Sequence, residues 1–216
     1  MKPRELRLLS LGAGLLVAAA LFASPGCEMV GAPFAAFDSE EGPQPVAAQY
    51  TGLVGRRVAV LVQMNEQAEF RFPESTAGIA NVMTSSIAQN VEGVTVLAAR
   101  RTLAYQQQNP FWPATPPSRL LRALEVDRLI VVDVEEYRTQ EPGNRYLWRG
   151  VIDAIVSVYE AESPDPDDKS FEQRVRAEWP EGTTVGLTEG DDATLQTAAL
   201  AKFTLRGAGL FFDHEE

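Results

Sequence analysis

The chain has 216 residues, 45% of them hydrophobic, a formal net charge of −11 at neutral pH, one cysteine and one histidine. An acidic surface of this kind excludes nucleic acid as a natural partner, because that binding draws on clustered Lys and Arg to displace counterions. A lone cysteine rules out an internal disulfide framework, and a lone histidine beside it nearly rules out a zinc site of His and Cys ligands.

Lys2, Arg4 and Arg7 precede a run of apolar and small residues from Leu8 to Ala23, and Ser24-Pro25-Gly26 then leads into Cys27. A basic start, a short apolar core and a small residue at the cut make a secretion signal. The run is shorter than the roughly 20 residues that span a bilayer. Gly26-Cys27 fits the end of a bacterial lipobox, while Ser24 and Pro25 depart from its usual Leu-Ala/Ser lead-in. The expectation is a lipoprotein signal peptide over 1–26 and lipid attachment, palmitate included, at Cys27. The protein then sits in the bacterial cell envelope, anchored to a membrane and facing the periplasm. Ordinary signal cleavage and a retained anchor are the alternatives. Cleavage removes Lys2, Arg4, Arg7 and Glu5, leaving 16 basic against 29 acidic residues and a net charge of −13. Such a surface resists anionic headgroups, so attachment falls to the acyl chains.

Residues 28–55 are rich in Ala, Gly and Pro, carry the acidic cluster Asp38-Ser39-Glu40-Glu41 and show no periodicity, which reads as a flexible tether. The domain plan is a signal over 1–26, the lipidated Cys27 and tether over 27–55, and a single domain over 56–216. Arg57 to Gln63 is a β-branched apolar run that predicts a strand buried on both faces. Ser75 is placed to cap a helix whose Ile79, Val82, Met83, Ile87 and Val91 recur at helical spacing, closed by Gly93. Val94 to Ala98 predicts the second strand. A broken helical region follows around Arg101 to Gln108. Beyond the Pro-rich stretch Asn109 to Pro117, a helix is expected with Thr115 as cap, Pro116 at its first position and Leu120, Leu121 and Leu124 inward.

Asp127 to Tyr137 predicts the third strand, so the order to this point is β-α-β-α-β, which favours parallel strands joined by right-handed crossovers. Arg145 to Glu160 and Phe171 to Trp179 then read as long strands joined by the acidic loop Ser163 to Ser170. In the first of them Trp148, Ile152, Ala154, Val156 and Val158 share one parity, and Arg149, Asp153 and Ser157 the other, as in a half-exposed antiparallel strand. A last helix begins near Asp191 or Asp192 and turns Leu195, Ala199 and Phe203 toward the sheet. The expected class is mixed α/β: β-α-β-α-β, an antiparallel β-meander and a C-terminal helix packed on the sheet.

This order, with its VAVL strand, the short strand ending near Arg101, the capped helix before Val126-Asp127 and the apolar strand Leu129 to Val134, resembles the lipoprotein domain shared by the peptidoglycan-synthase activator LpoB, the curli secretion lipoprotein CsgG and the amino-terminal domain of TolB. The resemblance covers roughly residues 56–160 and is one of pattern, without a signature motif. It implies an envelope protein that works by binding other proteins, and it supplies no catalytic residues. The stretch Asn109 to Pro117 and the absence of a curli-type pore hairpin are its departures.

Chemistry is thin along the chain. His214 lies near the carboxyl end, a poor place for a Ser-His-Asp or Cys-His unit. Asp133, Glu135, Glu136, Arg149 and Asp153 form the richest constellation. In register they permit a carboxylate pair for acid-base work or a hard cation, or else plain cross-strand ion pairs on a wet face. Asp165, Asp167 and Asp168 offer calcium a loop that lacks the glycine and distal glutamate of an EF-hand. No phosphate loop follows the first strand. Phe111 and Trp112, stiffened by neighbouring prolines, are the candidate partner-binding residues; capping of the domain's own core is the other reading. The sequence therefore points to a lipid-anchored envelope accessory or assembly protein acting by protein–protein interaction. It is expected to be non-enzymatic, with no metal and no cofactor, an envelope protein as partner and an oligomeric state left open. A carboxylate-dependent periplasmic hydrolase and a structural envelope lipoprotein are the alternatives.

Overall fold

The computed structural model describes residues 44–186 and 191–215; Cys27 and the signal segment lie outside them. In chain order the elements are β1 (Pro45–Val46), β2 (Arg57–Met64), α1 (Glu66–Arg71), α2 (Ser75–Asn90), β3 (Thr95–Val96), α3 (Ala99–Gln108), a 3-10 turn (Trp112–Ala114), α4 (Pro117–Leu124), β4 (Arg128–Glu141), β5 (Asn144–Glu160), β6 (Phe171–Trp179), β7 (Val185–Gly186), α5 (Asp192–Gly209) and β8 (His214–Glu215). The main sheet runs β3-β2-β4-β5-β6, with β7 paired to β5. β2 lies parallel to β3 and β4, while β4, β5 and β6 form the antiparallel meander. The mixed α/β class follows the hydrophobic pattern: the parallel strand β2 reads as a continuous apolar run, and the meander alternates.

That alternation divides the core in two. Val58, Val60, Val62, Ile130, Val132, Ile152, Ala154 and Val156 face α2 and α5, where Ile79, Met83, Ile87, Ala199 and Phe203 complete one cluster. Burial of each such aliphatic side chain contributes about 1.5–3 kcal/mol against the entropy of ordering. Gly150 lets α5 approach closely, since a Cβ there would lie 2.8 Å from the Leu195 carbonyl oxygen. On the opposite face Ala59, Leu61 and Leu129 pack under Leu120, Leu121 and Leu124 of α4 with Trp112. This second layer covers only the β2 side of the sheet, and the same face of β5 and β6 carries charged side chains in water.

Four expectations change. The tether boundary at residue 55 is too late: Gln49 and Tyr50 N–H groups both donate to the Leu210 carbonyl at 2.9 and 3.0 Å, Leu53 is fully buried, and β1 pairs with β8. Residues 44–55 are thus a strap on the domain, held by partners distant in sequence. The helix α1 was not anticipated; Asn65 caps it by accepting from the Ala68 N–H at 2.8 Å, and of its residues only Ala68 is buried. The second strand shrinks to Thr95–Val96, since Leu97 N–H already reaches the Val58 carbonyl and α3 starts at Ala99. Helix starts move by a residue: Glu74 rather than Ser75 precedes α2, and Pro116 rather than Thr115 precedes α4. Among the described residues no helix is long and apolar enough to cross a membrane.

Candidate functional site

The half of the sheet that α4 leaves uncovered brings the predicted carboxylates together. Pairing of β4 with β5 skips a residue between Val134 and Glu136, so Glu135 and Glu136 form a bulge that turns both acids to the open side. Asp153 on β5 is 4% exposed and accepts from Arg174 Nε at 2.8 Å and Arg176 Nη1 at 2.9 Å, both from β6. Arg174 also donates to Glu135 at 2.8 Å, and Arg176 to Glu178 at 2.8 Å and Glu136 at 3.3 Å. Arg149 does not meet Asp153; it donates to Glu141 at 2.8 Å and Glu178 at 3.4 Å, and its hydrogen bond holds the Glu141 carboxyl below the usual range. These are the cross-strand ion pairs of a wet face. Among the described residues no group of three His, Cys, Asp or Glu is placed to hold a metal.

Asp133 stands apart. In register it lies between Gln63 of β2 and Ile155 of β5. Among the described residues its carboxyl makes no hydrogen bond or ion pair; burial, followed by the charge of Glu135, pushes it above the ordinary range, and the charge of Lys169 offsets part of that rise. It opens into a groove of about 250 Å³ walled by Trp112, Pro113 and Pro117 on one side and floored by Val131, Ile155 and Tyr159. Lys169 also lines the groove, in an ion pair with Glu172 and within reach of the Asp133 charge.

The aromatic pair is split. Trp112 is 6% exposed and belongs to the α4 cluster, so its candidacy as an exposed anchor is corrected: its ring fills the gap between α4 and Ala59 and Leu61 of the sheet. Phe111 next to it is 84% exposed. The turn carrying both is fixed by Trp112 N–H donating to the Asn109 carbonyl and Thr115 N–H to the Trp112 carbonyl, each at 2.9 Å. A buried ring that lines the groove of Asp133 therefore belongs to the same turn as the exposed ring that precedes it. Trp112 and Asp133 lie 21 positions apart in the sequence and line one groove only through the fold.

Other candidates have structural work. Asp167 Oδ1 accepts from the Ser118 N–H at 2.7 Å, capping α4, which has no side-chain cap of its own. The His214 ring lies over Gly209, where a Cβ would come within 2.5 Å of it, and Phe211 is buried in the core against Tyr50 and Phe171. Phe70, 91% exposed on α1, was not singled out by any pattern in the sequence.

No protein-family model matches the chain, and no curated protein sequence matches it. Among solved structures the chain is similar to lipoprotein GNA1162 from Neisseria meningitidis, at 14% identity over 67% of this chain and 93% of that one, with a TM-score of 0.45. It is also similar to the PelC dodecamer from Paraburkholderia phytofirmans, at 9% identity over 77% and 96% with a TM-score of 0.41. The hypothetical protein CT253 from Chlamydia trachomatis aligns at 13% identity over 71% and 96%, with a TM-score of 0.43. At such scores and identities the likeness is too distant to transfer a role.

Proposed function

We propose that the protein is a lipid-anchored accessory or assembly protein of the bacterial cell envelope, facing the periplasm and acting by protein–protein interaction rather than catalysis. Anchoring rests on the basic, apolar and small-residue segments that end at Cys27. The pattern shared with the LpoB, CsgG and TolB domain over residues 56–160 points the same way. The observation that carries the binding role is Phe111, an exposed ring on a ledge made rigid by Trp112, next to a half-covered sheet face. A rigid aromatic anchor loses little entropy on docking, and aromatic rings dominate interface energetics.

The test has two arms. Intact mass of the mature protein is expected to show an acylated Cys27, and an unmodified thiol contradicts the anchor. Affinity capture from cross-linked envelope is expected to retain a specific protein that Phe111→Ala loses. The hydrolase alternative keeps Asp133 as its one supporting observation, because a raised carboxyl suits a general acid. Its second carboxylate, Glu135, is tied to Arg174. A hydrolytic activity of the purified protein, abolished by Asp133→Asn with Glu135→Gln at unchanged melting temperature, would replace the accessory reading.

A further inference from the structure

The open face is electrostatically closed except at one point. Glu135, Glu136, Glu141, Asp153, Glu172 and Glu178 each have an arginine or lysine nitrogen within 3.4 Å or closer. Asp133 has none: the nearby cation, Lys169, is paired with Glu172, and the residues in register with Asp133 are Gln63 and Ile155. A carboxylate without an ion pair in a partly desolvated groove, with Glu135 adding like charge and only the shared charge of Lys169 opposing it, carries a cost that a second cation entering the groove reduces.

The groove's dimensions narrow the class of that cation. A volume of about 250 Å³ lies below the roughly 300–1,000 Å³ of small-molecule sites, and is matched to a single long side chain. Val131, Ile155 and the prolines Pro113 and Pro117 offer apolar surface to a methylene stem, and Tyr159 offers a ring face. Asp133 stands where the charged head would arrive. Phe111, exposed one position before the lining residue Trp112, is available to the segment that bears the side chain. The charge of the whole molecule, −11, favours approach of a basic partner.

We infer that the groove beside Asp133 receives one arginine or lysine side chain presented by the partner protein, so that partner choice is read by a guanidinium or ammonium group and the neighbouring Phe111 contact. This rests on the reading of the face as a partner-binding surface. The occupant is a cationic side chain on a polypeptide, and it leaves Lys169 in place on Glu172.

The probe is acetyl-Ala-Arg-Ala-amide titrated into the isotope-labelled mature protein, with the Lys, Gln and Glu tripeptides in parallel, read by NMR at the Trp112 indole N–H and the Val131 and Ile155 methyl groups. The Arg and Lys peptides are expected to give saturable shifts there and the Gln and Glu peptides none. Asp133→Asn, nearly isosteric, weakens the Arg peptide by about five- to tenfold, as expected for one charge-assisted hydrogen bond. Lys169→Gln tightens it, a gain that damage to the fold cannot imitate and that stands even if Asp133→Asn fails to fold. Equal shifts from the Gln peptide, or no tightening by Lys169→Gln, overturn the inference. If Phe111→Ala abolishes partner capture while the Arg peptide leaves the groove signals unmoved, the inference fails and the partner reading survives. If wild type and Phe111→Ala retain the same proteins, it is the partner reading that fails.

Discussion

Arg128 grips Glu162 at two points, Nη1 to Oε2 at 2.5 Å and Nη2 to Oε1 at 2.7 Å, from a position at the start of β4 that is only 4% exposed. Its Nε also donates to the Tyr50 hydroxyl and the Gly52 carbonyl, each at 3.1 Å, while the Tyr50 hydroxyl donates to Glu160 at 2.6 Å. One guanidinium thus ties the strap of residues 44–55 to the foot of the sheet. Burial, then the bond to Glu160, pushes the Tyr50 phenol well above its ordinary value.

Truncation tests the strap. Removal of residues up to Gly55 is expected to lower the melting temperature clearly, because it exposes the site of the buried Leu53 and strips Arg128 of Tyr50 and Gly52. Arg128→Met alone is expected to cost about 2–3 kcal/mol by denaturant unfolding, the lower end for a broken buried pair because its acidic partners reach water. A truncated domain melting within a degree or two of the full one would return residues 44–55 to the tether.

The same pair predicts a pH dependence. The hydrogen bond from Arg128 lowers the Glu162 carboxyl to about 2 from its ordinary 4.5. A depressed carboxyl means that the unfolded chain binds the proton first as pH falls. The contribution is therefore complete above about 4.5 and is lost as pH drops toward 2. Because Glu162 is nearly half exposed, solvent screening limits it to less than about 1 kcal/mol. Glu162→Gln should flatten the stability profile between pH 2 and 4.5, measured by urea midpoints, and an unchanged slope would contradict the assignment.

Phe111 and Trp112 are expected to separate cleanly. Trp112→Ala should cost about 3–5 kcal/mol, the range for deleting a buried aromatic ring, and Phe111→Ala about 0.5 kcal/mol or less, as for other surface positions. Chemical denaturation of the two variants measures both. Comparable losses would show that Phe111 belongs to the core and not to a binding surface.

How far the fold could be read follows from what each element depends on. β2, α2, the meander and α5 were legible because their apolar residues repeat at two or at three and four positions within one segment. Asp191 behaves as its residue type suggests, accepting from the Thr194 N–H at 2.9 Å to cap α5. The strap and α1 were not legible: Tyr50 depends on Arg128 and Glu160, and α1 buries little besides Ala68, so neither writes a period into the sequence. The ion-pair reading of Asp153 was open beforehand, but the identity of its partners, Arg174 and Arg176, required the β5–β6 register. The groove was invisible, since Asp133 and Trp112 meet across elements distant in sequence. Nothing local distinguishes the unpaired Asp133 from Glu135, two residues on.

The most direct measurement is photo-cross-linking in the living envelope from a benzoyl-phenylalanine placed at position 111, with the exposed Glu125 position, at the far end of α4, as control. The account predicts a discrete adduct to one envelope protein from position 111, absent from position 125 and weakened by Asp133→Asn. An adduct of equal strength from both positions, or none from position 111 at normal abundance and folding, would contradict the claim that this face is where the protein works.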